Sequence, residues 1–232
     1  MAADFNSPYY PYEKTQSGYL SFRGAEEIPY RILMYLLDLP DKNGYFPVDD
    51  NRRARVRLIK YLCCDGANPL GEALPTPKEK LSLVFDGNEP VVASDEEKKK
   101  HPLGYRIYPQ MYWGQSQTEA KTTLKCYIGR VIPTGPFTAT IGLHFEILSN
   151  VNIDNTTKTS AYSRAYNIEQ CLIEALHGVN IAGVGVCDFS RGSHIENGSR
   201  PIADEGVNVG REVRLSVDWA ESNMAEADSF CL

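Results

Sequence analysis

The most regular hydrophobic patterns lie in the second half of the chain. In residues 122–133 and 137–150, apolar residues occupy every second position. Because side chains along a strand point alternately to opposite faces, both segments are predicted as half-buried strands. The turn-forming sequence PTGP between them predicts an antiparallel hairpin. The residues predicted to face inward are Leu124, Cys126, Ile128, Ile141, Leu143, Phe145 and Ile147.

Four more segments have strand patterns. LSLVF predicts a short strand, and YRIYP predicts another that ends at Pro109. Residues 179–190 predict one strand, and residues 207–220 predict a second with Val213, Leu215, Val217 and Trp219 facing inward. The residues between these last two, RGSHIENGSRPIADEG, are predicted as a polar loop.

Three segments have apolar residues at helical spacing, residues 28–38, 51–64 and 160–177. Pro40 stops the first helix and Gly66 ends the second. The third has a stripe of alanine, isoleucine and leucine, and Gly178 follows it where a helix end favours positive φ.

This order of elements predicts an α+β fold, an antiparallel sheet with one long helix packed on a face, plus N-terminal helices and an extended arm. We divide the chain into an extended N-terminal arm (1–27), two helices with a long loop region (28–103), an α+β sheet domain (104–220) and an acidic C-terminal tail (221–232). The arm and the loop region favour segments that become ordered against a partner surface.

Composition indicates an ordinary globular chain. Apolar residues make up 42% and charged residues 23%, which is enough to build a core without disulfides or metal. The start lacks the basic and apolar regions of a secretory signal, and no segment has the length of a membrane span. We therefore expect a protein made in the cytosol, with its six cysteines reduced.

The formal net charge of −6 argues against a protein whose main affinity is for phosphate backbones. Basic residues concentrate on the second helix, which carries Arg52, Arg53, Arg55, Arg57 and Lys60. Arginines are enriched in protein interfaces, so this helix is a candidate subunit contact. A solvated basic face is an equally open interpretation.

Catalytic and metal-binding patterns are scarce. The four histidines stand at positions 101, 144, 177 and 194, with no pair at ligand spacing. No GxSxG, HExxH or CxxC sequence occurs, and the glycines of GVGVC lie within a strand pattern without the lysine of a phosphate loop. We expect a protein that is not an enzyme and has no metal or cofactor.

The aromatic sequence PLGYRIYPQMYWG, residues 102–114, has three interpretations. Tyr112 and Trp113, with Tyr108, could stack on a sugar or base. Alternatively, YRIY belongs to the sheet and QMYWG begins a crossover to the next strand. In the third interpretation the aromatics form a protein interface.

The run YRIYPQMYWGQSQTEAKTTLKCYIGRVIP followed by FTATIGLHFEILSN resembles head–tail connector (neck) proteins of tailed bacteriophages. The resemblance extends to RARVRLIKYLCCDGANPL, to the helix AYSRAYNIEQCLIEAL and to the last strand GREVRLSVDW, which is similar to small tail-completion domains. It covers about residues 50–220. The Tyr/Pro-rich arm, the acidic tail and residues 179–211 depart from it.

The resemblance implies a structural virion protein of the neck, most similar to a tail terminator, with a stopper or a collar-like component as alternatives. Such a protein forms a ring, commonly a hexamer, that caps the tail tube and joins it to the head connector or stopper. DNA passes through the ring without specific binding. Our candidate partner and subunit contacts are Tyr9, Tyr10, Tyr12, Arg52, Arg53, Arg55, Tyr112, Trp113, Arg191 and Arg200.

Two rival functions belong to other classes. A carbohydrate-binding module would be monomeric and would use Tyr112 and Trp113 for stacking. A small hydrolase or nuclease would need clustered acidic residues and histidines, which the sequence does not show.

Overall fold

A computed structural model provides the fold. It describes residues 25–40, 44, 46, 49–85, 102–109, 120–135, 138–156, 163–190, 197–204 and 207–220. The predicted α+β class is confirmed: a seven-stranded sheet carries a layer of helices on one face.

Helices form where the sequence predicts the longer ones. The helices are α1 (Ile28–Leu36), α2 (Arg52–Cys63), α3 (Pro77–Ser82), α4 (Val151–Thr156) and α5 (Arg164–Leu176), with a 3-10 turn at Pro69–Gly71. α5 begins at Ser163, whose hydroxyl accepts a hydrogen bond from the amide of Tyr166, and it ends next to Gly178 at φ +76°. α4, with six residues, is too short for a helical pattern in the sequence to predict it.

The strands are β1 (Ile107–Tyr108), β2 (Thr122–Gly135), β3 (Thr138–Asn150), β4 (Asn180–Ile181), β5 (Gly185–Asp188), β6 (Gly198–Asp204) and β7 (Asn208–Ala220). Their order is β1-β2-β3-β7-β5-β4, and β6 pairs with β7 beside β5. β2 and β3 form the predicted hairpin, in register from Thr122 opposite Ser149. Only the β1–β2 pair among these strands is parallel.

The buried core lies between the sheet and the helices. α5 contacts α2, β3 and β7, while α1 and α2 contact β2. Each fully buried leucine or isoleucine here contributes on the order of 1.5–3 kcal/mol relative to an exposed one. The residues predicted to face inward are fully buried on β3 and β7, and on β2 only Ile128, nearest the hairpin end, is half-exposed.

The short strand predicted from LSLVF is wrong in its first half, because α3 extends through Ser82. Thr76 and Glu79 form a reciprocal capping box, in which each side chain accepts a hydrogen bond from the other's backbone amide. Because of this cap, a helix begins at Pro77, before the apolar residues of LSLVF. Only Val84 keeps a strand-like contact, a single parallel bridge to Ile107.

Residues 179–190 are two short strands instead of the one predicted. A turn at residues 182–184 separates β4 from β5, and Gly183 and Gly185 adopt φ of +75° and +109°. Positive φ is accessible to glycine at little steric cost, so these glycines reverse the chain and make the strands antiparallel neighbours.

The predicted polar loop between β5 and β7 contains a seven-residue strand, β6. Its register places Arg200 opposite Glu212 and Pro201 opposite Arg211 on β7. Proline is tolerated here because β6 pairs with one strand only, and an edge strand can lack one ladder hydrogen bond. The prediction failed because the segment lacks apolar alternation and owes its strand form to β7.

Candidate functional site: the outer face and the open edge of the sheet

Six of the predicted contact residues lie outside the described part of the chain, and their roles stay predictions: Tyr9, Tyr10, Tyr12, Tyr112, Trp113 and Arg191. Arg52, Arg53, Arg55 and Arg200 are described. The structure does not bring these four together, because three belong to α2 and Arg200 lies on β6.

Arg55 does not belong to an exposed basic face, which corrects the interpretation of α2 as one such surface. Its side chain is 0% exposed and its guanidinium donates hydrogen bonds to Asp49, Asp38 and the hydroxyl of Tyr35. It therefore presents no side-chain atom to a neighbouring subunit. Arg53 is exposed, and its predicted contact stays a prediction.

The solvent exposure of Arg52 lies between that of Arg55 and that of Arg53. Its guanidinium donates to the carboxylate of Asp38 at 3.2 Å and lies 4.4 Å above the ring centre of Phe46, while part of the side chain reaches the surface. Its main interactions are intramolecular. Lys80, fully buried, also donates to the backbone carbonyl of Asp38 at 2.8 Å. Burial lowers the pKa of Lys80, and the Asp38 carboxylate opposes that change.

Two further buried arginines fix the end of α2. The guanidinium of Arg164 donates to the carbonyl oxygens of Tyr61, Cys64 and Gly66. Arg106 donates to the carbonyl of Leu62 and pairs through two nitrogens with Asp65, at 2.7 and 2.6 Å. These contacts satisfy backbone carbonyls that a helix end leaves without partners. The two arginines are structural, and no local sequence pattern distinguishes them from surface arginines.

Arg200 belongs to a polar cluster on the outer face of the sheet, opposite the helices. The alternation of β2, β3 and β7 places their polar residues on this face, and β6 adds Arg200 at its edge. We call this set the outer-face cluster. It consists of Lys125, Tyr127, His144, Glu146, Arg200, Glu212 and Arg214.

Two glutamates stand opposite each other in the middle of the outer-face cluster, Glu146 on β3 and Glu212 on β7. Like charges in this position destabilise a sheet unless each is neutralised. Lys125 donates to Glu146 at 3.2 Å and the hydroxyl of Tyr127 donates to it at 2.7 Å. Glu212 accepts hydrogen bonds from Arg214 and Arg200. Each carboxylate therefore has its own donors.

These contacts determine the titration of the outer-face cluster. Burial acts to raise the pKa of Glu212, but hydrogen bonds from Arg214 and Arg200 outweigh it, so the pKa is lowered. Burial and the Glu146 carboxylate raise the pKa of Tyr127 far above its usual range. Burial and Arg214 lower the pKa of His144, whose Nδ1 lies 3.3 Å from Glu212. Glu212 is thus charged and His144 neutral near pH 7.

The charged side chains of the outer-face cluster are paired with one another within the chain. The arrangement suits a polar contact surface that neither attracts nor repels phosphate strongly. No group of three or more His, Cys, Asp or Glu side chains that could hold a metal ion occurs among the described residues. No helix in that part of the chain is both long and apolar enough to span a membrane.

A shallow groove of about 420 Å³ lies on the helix side, at the end of the sheet near the start of α5. Tyr166, Ile202, Val209 and Arg211 contribute to its lining. Arg211 is already engaged, since it donates to Glu169 and to the hydroxyl of Ser199. The groove therefore offers mainly apolar contacts.

Among the described residues, no strand covers the outer edge of β2 over most of its length, and we call this part the open edge. β3 pairs with β2 from Thr122 to Gly135, whereas β1 pairs only with Leu124 and Lys125 on the other side. No described strand pairs with this edge beyond Lys125. The residues of β2 from Gly129 to Val131, with Pro133 and Thr134, are exposed. The backbone there has groups available for another strand.

A comparison with protein families identifies the lineage of the chain. The YomW family model matches residues 56–200, which is more than half of the chain and runs from α2 into β6. The chain belongs to the YomW family. This is a phage-derived family of the Bacillus phage SPbeta-like yom group, so the chain is a phage-encoded protein. No curated protein and no solved structure matches the chain.

Proposed function

We propose that this YomW-family protein is a structural virion protein of the phage neck, which forms a ring that terminates the tail tube and joins it to the head connector. Its partners are further copies of itself, the tail tube protein and the connector or stopper proteins. The proposal assigns no chemical step to the chain, and DNA passes through the ring without specific binding.

The observation that carries the proposal is that, in a phage-encoded chain, no described strand pairs with the outer edge of β2 beyond Lys125. An exposed strand edge is a site for pairing with another chain, and natural proteins cover or blunt such edges when they remain monomeric. A closed ring needs two different surfaces on each subunit that fit each other. The β2 edge supplies one such surface.

The outer-face cluster supports the same proposal. Both of its carboxylates are paired with cations of the same chain, and three cations against two carboxylates leave a formal charge of only +1 to attract phosphate. Together with the formal net charge of −6, this suits a component that lies beside passing DNA without binding it.

Deletion of the gene from the phage tests the proposal. Particles made without the protein are expected to show tails of irregular length that do not join to heads, as seen by electron microscopy. A plasmid copy of the wild-type gene should restore normal particles. If the deletion phage assembles normal, joined virions, the chain has no neck role and the proposal fails.

A further inference from the structure

The exposed part of the β2 edge is short and irregular. The register of β2 against β3 shifts between Ile128 and Arg130, and again between Pro133 and Gly135. A bulge twists a strand, and a proline lacks the amide that a neighbouring strand would use. Two rigid, flat strands would therefore pair poorly along this edge. A flexible segment that adapts to the bulge is a better match.

The β2 edge nevertheless has a feature that favours the addition of another strand. Val131 is 38% exposed, although Ile141, its partner on β3, is fully buried. The described helices therefore cover β3 at this level but do not cover β2. An apolar β-branched residue on an open strand edge is typical of a surface that pairs with another chain. Arg130 is the one charged side chain between Cys126 and Gly135.

The other free edges of the described sheet are protected. β6 contains Pro201, which has no amide to donate to an added strand, and β4 has only two residues. Proline and short length both limit edge pairing, and β2 offers the longer edge although it too contains a proline, Pro133. The occupant of the β2 edge is thus better sought outside the sheet itself.

The chain supplies a segment of suitable length and chemistry. Residues 1–24 precede Ala25 and, at about 3.3 Å per residue, would reach roughly 80 Å when extended. From Tyr12 to Arg23 they contain no proline, and YLSF at 19–22 combines strand-forming aromatics with alternation of Leu20 and Phe22. α1, where this segment joins the fold, contacts β2.

We infer that the open edge of β2 receives residues 12–23 of a neighbouring copy of this chain as an added strand. Main-chain hydrogen bonds would supply affinity, and Leu20 or Phe22 would cover Val131. The contact joins an arm to an edge, so it is heterologous and propagates around a ring. This inference rests on the proposed neck ring and names its joint.

Cross-linking between co-expressed variants tests the joint. Two chains, both with Cys64→Ser and Cys231→Ser, carry either Leu20→Cys with an affinity tag or Val131→Cys without one. After oxidation we expect a disulfide-linked pair of tagged and untagged chains on a denaturing gel. Val207→Cys, at an exposed valine in the turn before β7, replaces Val131→Cys in the control and should give no link.

Three results would overturn the inference. In a third variant that carries Leu20→Cys and Val131→Cys on the same chain, a link that forms only within that chain would show that the arm covers its own edge. A ring of normal native mass, with no link from either Leu20→Cys or Phe22→Cys, would remove the joint while the neck ring stands. A monomeric mass without any link would remove the joint and the ring together.

A charge placed on the edge gives an independent readout. Lysine on a strand edge disfavours the addition of another strand, so Val131→Lys should reduce the native mass from that of the ring to that of the single chain. The matched change Val207→Lys also adds one lysine at an exposed valine and should leave the ring intact. Equal masses for the two variants would contradict the proposed joint.

Discussion

At the residue level, buried charged side chains connect α1, α2 and α3. Asp38 adopts φ +50°, a left-handed conformation that aspartate tolerates better than most residues, directly after α1. Its carboxylate lies inside the protein, where Arg55 and Arg52 donate to it and Lys80 lies 3.8 Å away. A buried carboxylate is costly unless cations and hydrogen bonds compensate it, so these cations act as a unit.

Replacement of one of these cations should destabilise the fold. Arg55→Met leaves Asp49 and Tyr35 without their main donor and weakens the support of Asp38, so we expect a loss of about 3 kcal/mol in unfolding free energy. Urea titration followed by circular dichroism measures the change. Arg53→Met, on the exposed side of the same helix, serves as the control and should cost less than about 0.5 kcal/mol. Similar losses for both would contradict the buried network.

Glu212 makes stability depend on pH. Its pKa is lowered in the folded state, so the stabilisation it provides is complete above the pKa of an unfolded glutamate, about 4.3. It declines as the pH falls through the lower folded pKa, because protonation removes the acceptor of Arg200 and Arg214.

We therefore expect the difference in unfolding free energy between wild type and Glu212→Gln to be largest above pH 5. It should shrink steadily in more acidic buffers, measured by urea titration at each pH. Glu174→Gln, which removes an exposed glutamate on α5, is the matched control. A difference that stays constant down to pH 2 would show that the charge of Glu212 is not what stabilises the sheet.

Sequence patterns could not distinguish one arginine from another. Arg53 and Arg55 are two residues apart on α2, and one is exposed while the other is buried. The deciding factors are Asp38 and Asp49, which the chain brings to α2 from the segment before it. Pairing of this kind depends on the tertiary fold, so no local spacing predicts it.

Two glycines show how closely the strands of the sheet approach at the level of elements. A Cβ atom at Gly210 on β7 would lie 2.1 Å from the carbonyl oxygen of Ile147 on β3. A Cβ atom at Gly129 on β2 would lie 2.2 Å from Nε2 of His144. The first clash is with backbone and the second with a side chain that can rotate.

The two positions should therefore respond differently to alanine. Gly210→Ala forces two central strands apart and should cost about 3 kcal/mol. Gly129→Ala should cost less, and combining it with His144→Ala should remove the clash, giving a favourable coupling in a double-mutant cycle measured by urea titration. If His144→Ala rescues Gly210→Ala as well, the loss at Gly210 has another origin.

Elements with their own apolar pattern were predictable, and elements formed by their neighbours were not. The β2–β3 hairpin, α5 and β7 follow period-2 or helical spacing in the sequence, and the structure places them within a few residues of the predicted bounds. β6 has a polar sequence with a proline, and only its pairing with β7 makes it a strand. The polar faces of β2 and β3 were predictable from the sequence. Arg200 joins this face only because β6 pairs with β7, which the sequence did not predict.

At the scale of the whole molecule, both faces of the described sheet are covered or internally paired, and one edge lacks a described strand partner. The helices bury the inner face, and both carboxylates of the outer-face cluster are paired with cations of the same chain. The edge of β2 beyond Lys125 has no strand partner among the described residues. A chain that is complete in its core but open at one edge is suited to assembly, which agrees with a phage-encoded structural role.

The native mass of the full-length chain, alone and after addition of purified tail tubes, tests the neck ring most directly. We predict a closed oligomer several times the 25.9 kDa chain mass, bound at one end of each tube when viewed by electron microscopy. The ring should withstand salt better than a purely ionic contact, because the proposed joint uses main-chain hydrogen bonds. A chain that stays monomeric in the presence of tubes, and binds none of them, would contradict the account.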